Sequence, residues 1–205
     1  KELVLQNFGP YQGRQVLNLT PGTDEAASPI ILCGGMNGGG KTTLLDAIRL
    51  ALYGQRAQCS TRRTQNYPEF LTQCVHYQAD NAETASVELA FEYILNNIPK
   101  QIRIQRTWTR DPRGSRDALE ILVDDWPDDA LTKTWDEWIE SVLPLGISNL
   151  FLFDGEQIKD LAEQETPPQN VVEAIRAILG LELADRLSLD LEVLIQRKRK
   201  ALAND

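Results

Sequence analysis

The sequence is poor in the residues that build metal centres and disulfide frameworks. His76 is the single histidine, so a metal site made of several imidazoles is excluded, and we expect this residue to pack or to lie on the surface. The three cysteines, Cys33, Cys59 and Cys74, form an odd set without C-x-x-C spacing. They predict reduced thiols in a cytoplasmic protein.

Long apolar runs are also missing, and negative charge is in excess. No stretch approaches the roughly 18 apolar residues of a membrane-spanning helix, so we expect no membrane partner. The formal net charge of -9 argues against a surface that wraps nucleic acid over its whole face, but it allows local basic patches. With 205 residues, the chain is long enough for one domain with its own core and an appendage.

Glycine, by contrast, is concentrated in the stretch CGGMNGGGKTT, Cys33 to Thr43. Its residues from Gly35 to Thr42 fit the phosphate-binding pattern G-x-x-x-x-G-K-[ST]. Glycines let successive backbone N–H groups point at phosphate oxygens, and a following helix adds the partial positive charge of its N-terminus. The predicted nucleotide-binding residues are Gly35, Asn37, Gly38, Gly39, Gly40, Lys41, Thr42 and Thr43.

The pattern also assigns roles within this loop and predicts a bound nucleotide with Mg²⁺. Lys41 is expected to reach the β- and γ-phosphates, Thr42 to ligate Mg²⁺ and Thr43 to meet the α-phosphate. The flanks fit, because a wholly apolar strand buried on both faces is predicted at Ser28 to Gly35. A helix is predicted from Lys41 to a Gly54 cap, with its apolar side at Leu44, Leu45, Ile48 and Leu52.

The remaining pattern predicts an antiparallel meander. Two strands flank the breaker pair Gly9-Pro10, and a hairpin flanks the stretch NNIPK at residues 96–100. ALEILVDD at residues 118–125 reads as a third strand of the same sheet. A short amphipathic helix at residues 132–143 is stopped by Pro144.

Two acidic segments are candidates for a metal-side contact. Residues 122–125, LVDD, are either a Walker-B strand or a meander strand that ends in an acidic turn. FLFDGEQ, residues 151–157, ends in Asp154, Glu156 and Gln157, and is either a contact to Mg²⁺ or its waters, made by Gln157 or by a carboxylate, or a solvated turn.

Arginines and tryptophans leave further alternatives open. Arg56, Arg62 and Arg63 contact nucleotide phosphate or DNA, or belong to a solvated loop. The tryptophans are expected to pack rather than to stack on bases: Trp108, Trp126, Trp135 and Trp138.

The last segment predicts a long helix with leucines at three- and four-residue steps between Leu179 and Leu194. This helix either packs on its own domain or begins a coiled coil, and we favour the coiled coil because QRKRKALAND is too polar for a core. We therefore place a domain at residues 1–168 and the helix at residues 169–205.

Several segments of the sequence resemble a known family. LVLQNFGPYQGRQVLNL, followed by PIILCGGMNGGGKTTLLDAIRLALYG, looks like the N-terminal lobe of SMC-like ABC ATPases, the group that includes SbcC. LPLGISNLFLFDGEQIKDLAE is similar to the DndD type, which serves bacterial DNA phosphorothioate modification. The resemblance implies an α/β fold, namely an ABC-type P-loop lobe with a mixed sheet around the P-loop helix.

The resemblance also implies that this chain is one half of an ATPase head. Such a head has an N-lobe, a departing coiled coil and a returning C-lobe with signature and Walker B, and two heads dimerise around ATP. The implied partners are DNA, other Dnd proteins, the protein's own C-terminal lobe and a second head. LSLDLE, residues 187–192, lacks the signature glycines, so we expect this part alone to bind nucleotide weakly and to hydrolyse almost none.

Two other functions stay open, and so does the metal-side residue. The first is an SbcC- or RecF-type DNA-repair ATPase, and the second is a nucleotide-gated scaffold with negligible turnover. Relatives carry Q-G-E where this chain has Asp154-Gly155-Glu156, so either Asp154 or Gln157 takes the place of the family's glutamine.

Overall fold

A computed structural model gives the structure of the chain. The described residues are 1–20, 30–62, 64–80, 83–95, 97–110, 116–148, 151–152 and the single positions 175, 187 and 191. The chain divides into two units, Lys1–Val142 and Leu143–Asp205. The helices and strands that position the candidate site lie in the first unit.

The first unit contains a six-stranded antiparallel sheet with the strand order β2-β1-β3-β4-β5-β6. Its strands are β1 Glu2–Phe8, β2 Tyr11–Asn18, β3 Thr84–Leu95, β4 Ile98–Thr109, β5 Ala118–Val123 and β6 Trp126–Pro127. The predicted meander is therefore confirmed, including the hairpin at NNIPK. Alternation along β4 explains its position, because Ile102, Ile104 and Trp108 are buried while Arg103, Gln105 and Thr107 are half-buried.

The α-helices of this unit are α1 Lys41–Tyr53, α2 Tyr67–Cys74 and α3 Asp129–Val142, and a 3-10 helix at Gly54–Arg56 follows α1. Helix α1 begins and ends as predicted, with Gly54 at its C-cap. Its buried side includes the small residues Ala47 and Ala51, which allow a close approach to β3 and β4. Of the predicted apolar positions, Leu52 is buried and the other three are half-buried.

Helix α2 was not predicted and α3 begins earlier than predicted, because the hydrophobic pattern does not include the capping residues. Residues 55–70, which their polar pattern predicts to be a loop, contain the start of α2, whose N-cap Asn66 accepts a hydrogen bond from the Glu69 N–H at 3.0 Å. Helix α3 begins at Asp129 instead of Thr132, because the Asp128 carboxylate accepts from the Leu131 N–H at 2.8 Å.

The predicted buried strand at Ser28 to Gly35 is wrong where it is described. Residues 30–36 form neither strand nor helix, and Leu32 is 91% exposed. A strand buried on both faces needs neighbouring strands and covering layers, and the described residues supply neither for this segment. The α/β class is confirmed, but every ladder among the described residues is antiparallel, so the mixed sheet is not observed there.

A buried network of hydrogen bonds and one ion pair lies at the C-terminal end of α1. Arg106 on β4 donates from Nε to the Ala51 carbonyl at 2.9 Å and forms an ion pair with Asp117. The Tyr67 hydroxyl donates to the same carboxylate at 2.7 Å. Burial, and then the Asp117 charge, raise the pKa of Tyr67 well above its ordinary value, which keeps it a donor. The network thus ties α1, α2, β4 and the start of β5 together.

Gly54 lies beside this network, at a position where a side chain would strain the backbone and meet Arg106. Its φ is +52°, and a Cβ at this position would lie 2.5 Å from Nη1 of Arg106. We expect Gly54→Ala to lower the free energy of unfolding by about 1–3 kcal/mol, since it strains the backbone and displaces a fixed guanidinium. Urea unfolding measures the loss. Gly13→Ala is the control, because Gly13 also has a positive φ but an added Cβ would meet no atom within 4 Å. An equal loss in both variants would contradict the role of the Arg106 contact.

In the second unit, helix α4 spans Leu145–Ser148. Ile175, Leu187 and Leu191 are helical and exposed, and all three lie in the predicted final helix. The coiled coil stays a prediction, and so does the boundary after residue 168, which lies outside the described residues. Within the described part, no helix is long and apolar enough to cross a membrane.

Candidate nucleotide-binding site

The predicted phosphate-binding loop leads directly into helix α1. The Gly39 N–H donates to the Met36 carbonyl at 3.0 Å, which forms a turn inside the loop. Gly40 is the N-cap of α1 and has a left-handed φ of +89°. Its carbonyl accepts from the Leu44 N–H at 2.9 Å, the first helical hydrogen bond. The loop therefore ends at a helix N-terminus, where backbone N–H groups and the helix dipole favour an anion.

Lys41 brings a positive charge to the same loop. Its Nζ donates to the carbonyls of Gly35 at 2.8 Å and Met36 at 2.9 Å. These two carbonyls lie at the beginning of the loop, and Lys41 lies near its end. A phosphate is a stronger partner for an ammonium group than a carbonyl, so this arrangement lets Lys41 exchange its loop contacts for a phosphate.

The turn between β1 and β2 packs against the start of α1. The Tyr11 hydroxyl donates to the Gly40 carbonyl at 3.2 Å. A Cβ on Gly40 would lie 2.8 Å from Pro10 Cγ and from the Tyr11 hydroxyl, so only glycine fits. Likewise, a Cβ on Gly9 would lie 2.9 Å from Thr43 Cγ2. Burial and, to a lesser extent, the Cys33 thiol raise the pKa of Tyr11, which keeps its hydroxyl protonated.

A buried carboxylate fixes the segment that follows α1. Asp46 is 1% exposed and accepts from the N–H groups of Ser60 at 2.9 Å and Thr61 at 3.0 Å. The Thr61 hydroxyl donates to it at 2.7 Å, and Arg49 lies one helical turn away with Nη1 at 3.4 Å. The sequence did not predict this role, because the hydrophobic pattern does not show that the segment with Ser60 and Thr61 folds back onto Asp46.

Two of the three arginines after the loop have structural partners. Arg56 pairs with two acidic residues of α3, Glu140 at 2.8 Å and Asp136 at 3.5 Å. Arg62 donates to two backbone carbonyls and lies 5.4 Å from the centre of the Tyr67 ring. Their contacts favour a packing role over phosphate binding. The third arginine, Arg63, lies outside the described residues.

The acidic pair after β5 forms the turn of the meander. Asp124 and Asp125 have φ values of +51° and +66°, and this two-residue turn leads into β6. Asp124 accepts from Lys100 Nζ at 2.6 Å, and this hydrogen bond lowers the pKa of its carboxyl. The structure thus places Asp124 beside β4 and supports the meander interpretation over the Walker-B alternative.

Packing roles are confirmed for His76 and for most of the tryptophans. His76 is buried against the Tyr77 ring. The indole N–H groups of Trp108 and Trp135 donate to backbone carbonyls at 2.8 Å, and Trp138 stacks on Trp135. The prediction is wrong for Trp126, which is 78% exposed because β6 is a two-residue edge strand.

The cysteines are free thiols, as the sequence predicted. Burial raises the pKa of Cys74 to about 12 and raises the pKa of Cys59 further, so both stay protonated. In the described part of the chain, no group of three or more His, Cys, Asp or Glu residues is placed to hold a metal ion. The predicted metal-side residues Asp154, Glu156 and Gln157 lie outside the described residues.

The class of the protein follows from a comparison with known families. The AAA domain family model, AAA_23, matches residues 2–204, so the chain belongs to that family. Two curated proteins are similar to parts of it, and each is the SbcC component of the nuclease SbcCD. The protein from Vibrio cholerae is 38% identical over 79 residues, which are 36% of this chain and 8% of the relative. The protein from Treponema pallidum is 47% identical over 53 residues, 26% of this chain and 5% of the relative.

The family match and both relatives support the SMC-like ATPase class that the sequence predicts. The matched segments are a small fraction of the length of these relatives. The family match and the two relatives do not distinguish the DndD type from other SMC-like ATPases.

Proposed function

We propose that this chain is the ATP-binding N-terminal lobe of an SMC-like ATPase head, with Mg·ATP bound at Gly35 to Thr43. The observation that supports this most strongly is the position of Lys41, whose ammonium lies against the carbonyls of Gly35 and Met36 at the N-terminus of α1. Calorimetric titration of the chain with Mg·ATP tests it. Saturable binding with one site is expected, and no measurable binding at millimolar nucleotide would overturn the proposal.

Residues of the loop have distinct proposed roles in holding the nucleotide. The N–H groups of Gly38, Gly40 and Lys41 face the phosphate oxygens, whereas the Gly39 N–H is used inside the loop, and the Lys41 side chain neutralises the phosphate charge. Thr42 supplies a hydroxyl to Mg²⁺, Thr43 meets the α-phosphate, and Gln157 or Asp154 lies on the metal side. Bound Mg²⁺ neutralises charge on the β- and γ-phosphates.

We propose that hydrolysis requires residues supplied by a returning C-terminal lobe and by a second head. Ile30, Ile31 and Leu32 support this, because they form an exposed apolar run directly before the loop. Such a run is expected to be covered by another part of the protein. The chain alone should therefore bind nucleotide weakly and turn over almost none, whereas turnover at the rate of a complete head would contradict this division.

For the whole protein we propose that ATP binding and head dimerisation serve DNA phosphorothioate modification together with other Dnd proteins. The resemblance of residues 143–163 to the DndD type carries this proposal. The similarity to the SbcC component of the nuclease SbcCD favours the alternative of a DNA-repair ATPase. Purification of the full-length protein with its partners distinguishes the two, because sulfur-transfer proteins are expected in the first case and a nuclease in the second. A nucleotide-gated scaffold would instead bind Mg·ATP with negligible turnover even as the full-length protein.

Asp125→Asn tests whether the acidic turn belongs to the site. We expect unchanged affinity for Mg·ATP, because Asp125 lies in the β5–β6 turn beside the Lys100–Asp124 pair. The measurement is the same calorimetric titration, with Asp129→Asn at the start of α3 as the control for loss of one surface charge. A tenfold loss of affinity in Asp125→Asn alone would restore the Walker-B interpretation.

A further inference from the structure

The turn between β1 and β2 contacts the phosphate-binding loop through one hydrogen bond. We propose that Tyr11 is a positioning residue for the nucleotide, because its hydroxyl fixes the peptide group between Gly40 and Lys41. This inference rests on the proposed function, since it concerns the same site. It assigns a role in phosphate binding to a residue 29 positions before the loop's last glycine.

The Gly40 carbonyl accepts two hydrogen bonds. One comes from the Leu44 N–H at 2.9 Å and belongs to the first turn of α1. The other comes from the Tyr11 hydroxyl at 3.2 Å and reaches the carbonyl from outside the helix. A carbonyl oxygen has two lone pairs, so both partners are accommodated together.

Fixing this oxygen also fixes a donor that faces the phosphate. In a trans peptide, the Gly40 C=O and the Lys41 N–H lie in one plane and point in opposite directions. The oxygen points along α1 towards Leu44, so the Lys41 N–H points out of the helix N-terminus. Gly40 has a φ of +89° and no side chain to restrict its peptide rotation, so an external anchor limits this freedom.

Tyr11 is held on a rigid element rather than on a free loop. It pairs with Phe8 across the β1–β2 turn, and Phe8 is buried. The Asn7 side chain accepts from the Gly13 N–H at 2.9 Å and donates to Glu83 at 3.1 Å, which braces both sides of the turn. The close approach of the turn to Gly40 leaves little room for the ring to move.

The test compares Tyr11→Phe with a control tyrosine. Tyr11→Phe removes only the hydroxyl, so we expect about a fivefold weaker affinity for Mg·ATP, the loss that fits one neutral hydrogen bond. Tyr77→Phe is the control, since Tyr77 is 77% exposed on a different segment, and its affinity should equal that of the wild type. Melting temperatures without nucleotide show that both variants are folded. Affinity within twofold of the wild type in a folded Tyr11→Phe would overturn the proposal.

A crystal structure with Mg·ADP and the Lys41→Ala variant distinguish a failure of this inference from a failure of the proposed function. A crystal structure of the wild type with Mg·ADP should keep Tyr11 Oη within about 3.5 Å of the Gly40 oxygen. A displaced Tyr11 would overturn the inference even if the variant failed to fold. If Lys41→Ala abolishes binding while Tyr11→Phe binds like the wild type, the proposed function stands and only this inference fails. If the wild type does not bind Mg·ATP, both fail.

Discussion

Replacing Lys41 with alanine is expected to weaken the binding of Mg·ATP by about 100-fold, the loss that fits one or two charge-assisted hydrogen bonds to phosphate. The side chain is exposed, and its present partners are two loop carbonyls, Gly35 and Met36. Its removal leaves no buried group without a partner inside the core. The free energy of unfolding without nucleotide should therefore change by less than about 0.5 kcal/mol.

Lys133→Ala is the matched control for this experiment. Lys133 is an exposed lysine on α3, so its loss removes the same charge without touching the loop. Calorimetric titration should give wild-type affinity for Lys133→Ala and the large loss only for Lys41→Ala. Equal affinities in both variants would show that the ammonium group of Lys41 does not contact the nucleotide.

Replacing Arg106 with leucine is expected to lower the free energy of unfolding by about 3–5 kcal/mol, because it leaves the buried Asp117 carboxylate without its cation. Both side chains are nearly buried, at 6% and 8% exposure. The variant also loses the hydrogen bond from Arg106 to the Ala51 carbonyl at the end of α1. Urea unfolding followed by circular dichroism measures the loss.

Arg103→Leu is the control on the same strand. Arg103 pairs with Glu2 and Glu88, but its side chain is 22% exposed, and solvent screens partly exposed pairs. A loss of about 1 kcal/mol or less is expected there. Replacing Asp117 with asparagine in the Arg106→Leu background should recover part of the larger loss, because it removes the unpaired charge. Equal losses for Arg106→Leu and Arg103→Leu would contradict the role of the buried network.

The sequence predicted the elements that local pattern determines. Apolar and polar residues alternate between Ile102 and Trp108, interrupted only at Arg106, and this pattern marks β4. Glycine spacing followed by Lys41 marks the phosphate loop and the start of α1. Pattern also predicted burial for residues 30–35, and that prediction was wrong. An apolar run shows that a segment needs covering, but it does not show whether the covering residues are present in the same chain.

The sequence pattern did not predict contacts between segments that are distant along the chain. The Arg106 network joins β4 to Ala51 and to Tyr67, and nothing in the local pattern brings these residues together. The sequence assigned no role to Tyr11, because a turn at Gly9-Pro10 reveals a change of chain direction and not the loop that the turn faces. Asp46 stands in a helix pattern, which gives no sign that it anchors the segment after α1.

The central claim is that the loop from Gly35 to Thr43 binds the phosphates of ATP, and a crystal structure of the chain with Mg·ATP tests it most directly. We expect Lys41 Nζ to leave the carbonyls of Gly35 and Met36 for a phosphate oxygen, and the Thr42 hydroxyl to lie in the coordination sphere of Mg²⁺. Nucleotide bound elsewhere, with Lys41 still on both carbonyls at saturating Mg·ATP, would contradict the account.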